Sequence, residues 1–212
     1  MKQILNILAA SRTLNVRNGR FDTSWGHAMR NIAAIASAAL LSAGCSTYAA
    51  DRYAISMDSQ TELKQIAVSS QGQGISVDKF TATEPGQTEI ACRAVGPIKT
   101  PDGETFEAFI REALVDQLQL AELYSPEAPR RVGGNLDAID FSTADGIWNL
   151  TLTVTTDAGR SFTVREDYDY ESSFYGETAC NQTAQAFMPA VQNLIRKVVS
   201  QPVFQEMITS GG

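Results

Sequence analysis

The residues from Glu166 to Glu171 read Glu-Asp-Tyr-Asp-Tyr-Glu and carry four carboxylates in six positions. Paired carboxylates can do acid–base work on a glycosidic bond or bind a cation. A hydrolase on cell-envelope polysaccharide would use Glu166 and Asp169. Strand alternation gives a plainer reading: Asp167, Asp169 and Glu171 face water while Tyr168 and Tyr170 pack inward. Arg165, Asp167 and Asp169 then share one face and form a partner-binding site. A second acidic group, Asp137, Asp140 and Asp145, lacks the spacing of a calcium loop and reads as strand-end and turn residues. Gly133-Gly134 follows no strand that enters a helix, so it reads as a bend or bulge rather than a phosphate cradle. The reading calls for no metal and no cofactor.

A different chemistry is written earlier in the chain. From Ile32 to Cys45 an uncharged apolar run passes through small residues and ends in a cysteine. It has the form of a secretory h-region and cleavage site. A core helix of this length would show a polar face, and here only Ser37 and Ser42 are polar. Leu41, Ser42, Ala43, Gly44 and Cys45 resemble the lipobox of bacterial lipoproteins. The family most often has Leu three places before the Cys, where this chain has Ser42. The resemblance implies a diacylglyceryl group on the Cys45 thiol, cleavage before Cys45 and acylation of the new N-terminus. Residues 1–44 are then a signal peptide. Its basic segment is Met29-Arg30-Asn31, which makes Met29 the expected start and residues 1–28 surplus. Ser46, in place of Asp, implies sorting to the periplasmic face of the outer membrane.

That processing changes the composition. Residues 1–44 hold five of the 17 basic side chains, one of the 24 acidic ones and the single histidine, His27. The remaining 168 residues carry 12 basic and 23 acidic groups, a net charge of −11. Such a balance disfavours nucleic acid and anionic headgroups as partners. A chain without histidine has neither a Ser-His-Asp triad nor a His-ligated metal. With Cys45 lipidated, Cys92 and Cys180 remain, in an oxidising compartment, and a disulfide between them is expected. The alternative is two separate buried thiols.

The elements that would position these groups follow from periodicity. Residues 45–74 are expected to be a lipidated N-terminus and flexible tether, with room for a weak edge strand. Residues 75–212 are expected to form one domain. Ile75–Phe80 alternates as a strand, and Glu89–Ile98 as a second that ends at Pro97. Thr105 is an N-cap for an amphipathic helix reaching Tyr124 and bearing Phe106, Phe109, Ile110, Leu114 and Leu118. Asn135–Phe141 is a third strand. Trp148, Leu150, Leu152 and Val154 alternate with polar residues, and Asp157-Ala-Gly-Arg160 turns the chain into a returning strand from Phe162. A long helix begins near Thr178, with a kink or break expected at Pro189. A short helix with Phe204 and Met207 follows Pro202. The fold class is α+β, a two-layer sandwich of a mainly antiparallel sheet with two helices on one face.

Cys45, the Ile75–Phe80 strand, the Phe106–Leu120 helix, the Trp148–Val164 hairpin and the long final helix together resemble small outer-membrane lipoproteins. These include YajG-like proteins, auxiliary lipoproteins of ABC transporters and the lipopolysaccharide-assembly lipoprotein. The resemblance implies a non-enzymatic accessory role beside an envelope transport or assembly machine, with an envelope protein as partner. A small-ligand binding module is the remaining alternative to this and to the hydrolase.

Overall fold

A computed structural model describes residues 47–70 and 73–209. The expected signal peptide and Cys45 lie outside the described residues. Eight strands and four helices are described, and the fold is α+β with the helices packed to one side of the sheets.

The clearest alternation in the sequence becomes the clearest structure. β6 (Arg131–Ser142), β7 (Ile147–Thr156) and β8 (Ser161–Asp169) form an antiparallel meander. Trp148, Leu150, Leu152 and Val154 are fully buried on one face of β7. Gly146 makes the β6–β7 turn at φ 68°, and any Cβ there would collide with the Tyr170 carbonyl.

The sheet is not purely antiparallel, however. β2 (Ser76–Val77) and β3 (Thr81–Ala82) both lie parallel to β6, against Arg131–Val132 and Asn135–Leu136 in its first half. Parallel neighbours need a long crossover. The chain between Ala82 and Arg131 supplies it as a hairpin followed by a helix. The expected single strand at Ile75–Phe80 is split because Phe80 turns inward. Its ring lies where a Cβ on Gly134 would be, 2.7 Å from that position. Gly134 is therefore a place of close approach, and the bulge falls two residues later, between Leu136 and Ala138.

The expected strand Glu89–Ile98 is two strands, β4 (Glu89–Cys92) and β5 (Gly96–Lys99), joined by a tight turn. Pro97 does not end a strand; it sits within β5 opposite Ala91. β1 (Tyr48–Ala49) pairs parallel to β5, completing a separate three-stranded sheet.

The tether expected over residues 45–74 is corrected as well. Within it, β1 is sheet-paired and α1 (Met57–Ser69) is a capped helix, with the Ser56 hydroxyl accepting from Ser59 N–H. Leu63 and Ile66 of α1 join the core. The intervening segment is held by a Gln192 amide donating to Ala54 O at 2.7 Å and by Arg52 on Asp102 at 2.5 and 2.6 Å.

α2 (Phe106–Leu120) begins at its Thr105 cap as expected. It stops short of Tyr124 because the chain reverses at Glu122, whose φ is +58°. α3 (Gly176–Val199) is the central helix, touching β7 and β8, β1 and β5, and the other three helices. It runs through Pro189 as one 24-residue helix rather than breaking there. Proline frees the carbonyl four residues earlier; here that residue is the exposed Gln185, where water can take the bond. α4 (Pro202–Thr209) buries Phe204, Met207 and Ile208.

Candidate functional site

Alternation along β8 separates the acidic run into two environments. Arg165, Asp167 and Asp169 are exposed, while Val164 and Glu166 are buried beneath the helices. Glu166 is only 3% exposed. Its Oε1 accepts from Asn193 Nδ2 at 3.1 Å, and Oε2 lies 2.7 Å from Lys197 Nζ, both donors coming from α3. The ammonium meets Oε2 as an ion pair, off the hydrogen-bond direction, while it donates to Arg165 O at 2.8 Å. A buried carboxylate held this way joins helix to sheet. Glu166 and Asp169 lie on opposite faces of β8, so the pair considered for a hydrolase cannot flank one bond.

Of the three residues expected to receive a partner, two hold each other. Arg165 Nε donates to Asp167 Oδ1 and Oδ2 at 2.9 and 3.1 Å. Asp169 is exposed opposite Ile147. Around them the wet face of the meander is a connected polar network. Asp137 accepts from Asn135 Nδ2 at 2.7 Å and from the Thr153 hydroxyl at 2.6 Å. Thr153 and Thr163 share a 2.8 Å hydroxyl contact, and Asn149 Nδ2 donates to Asp140 at 2.7 Å. Asp145 accepts from Ser142 Oγ at 2.5 Å in the β6–β7 turn. Of the two acidic groups singled out in the sequence, all but Glu166, on the covered face, and Glu171, beyond the end of β8, therefore belong to one sheet face and its turn. Each of their carboxylates has a structural partner among the described residues, except those of Asp169 and Glu171. Among the described residues, no cluster of three or more Asp, Glu, Cys or His could hold a metal.

The two downstream cysteines meet. Cys92, at the end of β4, and Cys180, in the first turns of α3, form a disulfide with Cα atoms 5.9 Å apart. Both are fully buried.

The disulfide backs a surface corner that the sequence reading missed. Arg93 follows Cys92 at φ 49°, in the left-handed region. Its guanidinium donates to Thr143 Oγ1 at 2.9 Å, to Phe174 O at 2.9 Å and to Ser173 O at 3.4 Å. Phe174 and Tyr175 project from the loop thus held, 92% and 75% exposed, with ring centroids 6.1 Å apart. Two adjacent aromatics just before a helix were the available signal. Nearby, Tyr170 shares its hydroxyl with Thr183 at 2.7 Å, and burial pushes its pKa up despite that bond and the Arg93 charge.

An open cleft of about 580 Å³ runs beside β2 and the 124–131 loop, where Arg111 donates to Val77 O at 2.8 Å and Asp78 O at 2.9 Å. Arg111 covers edge carbonyls there rather than presenting a free charge. No described helix is long and apolar enough to cross a membrane.

No family model matches the chain, and no curated protein matches it. Among solved structures, the crystal structure of protein XCC0632 from Xanthomonas campestris, described under the family model DUF330, is similar over 77% of this chain and 96% of its own, at 13% identity and a TM-score of 0.46.

Proposed function

We propose that the protein is a lipid-anchored accessory of the bacterial cell envelope, held by Cys45 at the periplasmic face of the outer membrane, with a binding rather than a catalytic role. The observation that carries this reading is the buried Cys92–Cys180 bond. Disulfides persist in oxidising compartments, which agrees with an export leader ending at Cys45. The division of the acidic run supports the non-catalytic half: Glu166 is spent on Lys197 and Asn193, away from the exposed carboxylates.

The surface we assign to an envelope protein partner is the wet face of β6–β8, around Arg165, Asp167 and Asp169. The helices cover the opposite face, and charged or hydroxyl side chains keep this one soluble while it is free. A partner would bring basic groups to Asp167 and Asp169.

In-cell photocrosslinking from positions Thr151 and Asp167 tests the assignment. One envelope protein captured from both positions, and lost from the Thr151 position on Asp167→Arg with Asp169→Arg, agrees with it. Equal capture in the charge-reversed protein would defeat it.

A further inference from the structure

The strand that carries the chain into the domain runs beside β5 in the same direction, with Tyr48 opposite Ile98 and Ala49 opposite Lys99. Followed backwards, β1 therefore heads for the start of β5, where Gly96 leaves the Arg93–Val95 turn. Cys45 precedes Tyr48 by three residues, a span of about 10 Å at full extension. Val95 precedes Ile98 by the same three residues. The start of α3 lies against this turn, since a Cβ on Gly176 would sit 2.8 Å from Val95 Cγ2. Phe174 and Tyr175 are the two residues ahead of Gly176, and Arg93 holds the Phe174 carbonyl. The point at which the chain enters the domain, at Tyr48, and the most exposed aromatic pair among the described residues thus belong to the same end of the domain.

We propose that the Phe174–Tyr175 corner is a membrane-contacting surface that seats the domain on the zwitterionic lipid surface to which Cys45 is attached. The proposal rests on the lipid-anchor reading and adds to it a second contact and a fixed orientation. Aromatic side chains suit the headgroup region: they are apolar in body, and tyrosine carries a polar tip. Exposed at 92% and 75%, this pair contributes nothing to the core. It is nonetheless held firmly. Ser173 N–H donates to Gln182 Oε1 at 2.7 Å, Ser172 Oγ to Thr143 O at 2.7 Å and Tyr175 N–H to Ser173 Oγ at 3.1 Å. The Arg93 bonds and the disulfide stand behind the loop. A preformed corner loses little freedom on contact. Exposed Glu171 and Glu177 flank it, which favours a zwitterionic surface over an anionic one. The lipid on Cys45 supplies attachment, and the aromatic pair sets which face of the domain looks away from the membrane.

The experiment uses full-length protein bearing Phe174→Trp, extracted from membranes and reconstituted in phosphatidylethanolamine–phosphatidylcholine vesicles with or without brominated phosphatidylcholine. Trp148 is fully buried and provides a constant background, and Trp25→Phe ensures that an uncleaved leader adds no indole. The expected result is a blue-shifted emission from the introduced indole that is lost with brominated lipid and shielded from aqueous iodide. Adding Tyr175→Ser to the Phe174→Trp protein should weaken both effects while the mass of Cys45 stays unchanged. Emission indifferent to brominated lipid but open to iodide, with lipid present on Cys45, overturns the corner and leaves the anchor standing. Quenching by brominated lipid in protein whose Cys45 carries no lipid keeps the corner and removes the anchor. An emission change that requires a crosslinked protein, and not lipid, overturns the proposal in favour of a protein contact.

Discussion

Lys197 Nζ stands 2.7 Å from the Oε2 of Glu166, so that the ammonium of α3 neutralises a carboxylate buried under β8. The two ends are unequal: the lysine side chain is 39% exposed and that of the glutamate 5%. Removing the exposed partner of such a pair, which leaves the buried charge uncompensated, costs more than removing the buried charge itself. Lys197→Ala should lose about 2 kcal/mol, the carboxylate being left with Asn193 alone. Glu166→Leu should stay within about 1 kcal/mol of the parent, because the lysine can return to water. Urea melts of the two variants give the order directly, and the reverse order would refute the argument.

The disulfide closes a loop with a sequence separation of 88. On the chain-entropy account such a loop is worth about 4.5 kcal/mol. Replacing both cysteines, Cys92→Ala with Cys180→Ala, should lower the unfolding free energy by roughly that amount. Because both sulfurs are fully buried, a mild reductant should leave the native bond intact and cut it only as the chain unfolds. Prompt reduction under native conditions, read by thiol labelling, would contradict this.

Gly133 and Gly134 are adjacent but not equivalent. A Cβ on Gly134 would meet the Phe80 ring at 2.7 Å, whereas one on Gly133 meets nothing within 4 Å. Gly134→Ala should cost about 2 kcal/mol through forced movement of Phe80. Gly133→Ala should fall within about 0.5 kcal/mol of the parent. Thermal melts that rank the two alike would count against the close approach.

Burial pushes the Tyr53 hydroxyl up to about 12, against an opposing hydrogen bond from Gln117 and with help from the Asp116 charge. An unfolded tyrosine loses its proton near pH 10. Between about pH 10 and 12 the native chain thus holds a proton that the unfolded chain has released. Stability must fall as pH rises through that window and is fully present below it. Tyr53→Phe should flatten this alkaline slope. An unchanged slope in denaturant titrations from pH 9 to 12 would assign it elsewhere.

The β6–β8 meander, the capped start of α2 and the apolar stripe of α3 were legible because one apolar face repeats at a single period; that α3 runs on through Pro189 was not. The Cys92–Cys180 pair was legible from cysteine number and the oxidising compartment that the leader implies. α1 was not. It places only Leu63 and Ile66 among its core apolar residues and relies on Gln60, whose amide donates to Gln117 O and Oε1 at 2.7 Å across the α1–α2 interface. A helix stabilised by such tertiary bonds leaves no stripe to read. The separation of β4 from β5 was hidden for a related reason: Arg93, a residue with no turn preference, takes the left-handed conformation that reverses the chain. The corner built on Arg93 was missed with it.

The central claim is the lipid on Cys45, and intact-mass analysis of the unreduced protein extracted from membranes tests it most directly. The account predicts a chain beginning at Cys45, heavier by a diacylglyceryl and an acyl group, and lighter by two hydrogens for the closed disulfide. A membrane-extracted chain that retains residues ahead of Cys45, or that begins there with an unmodified thiol, would contradict it.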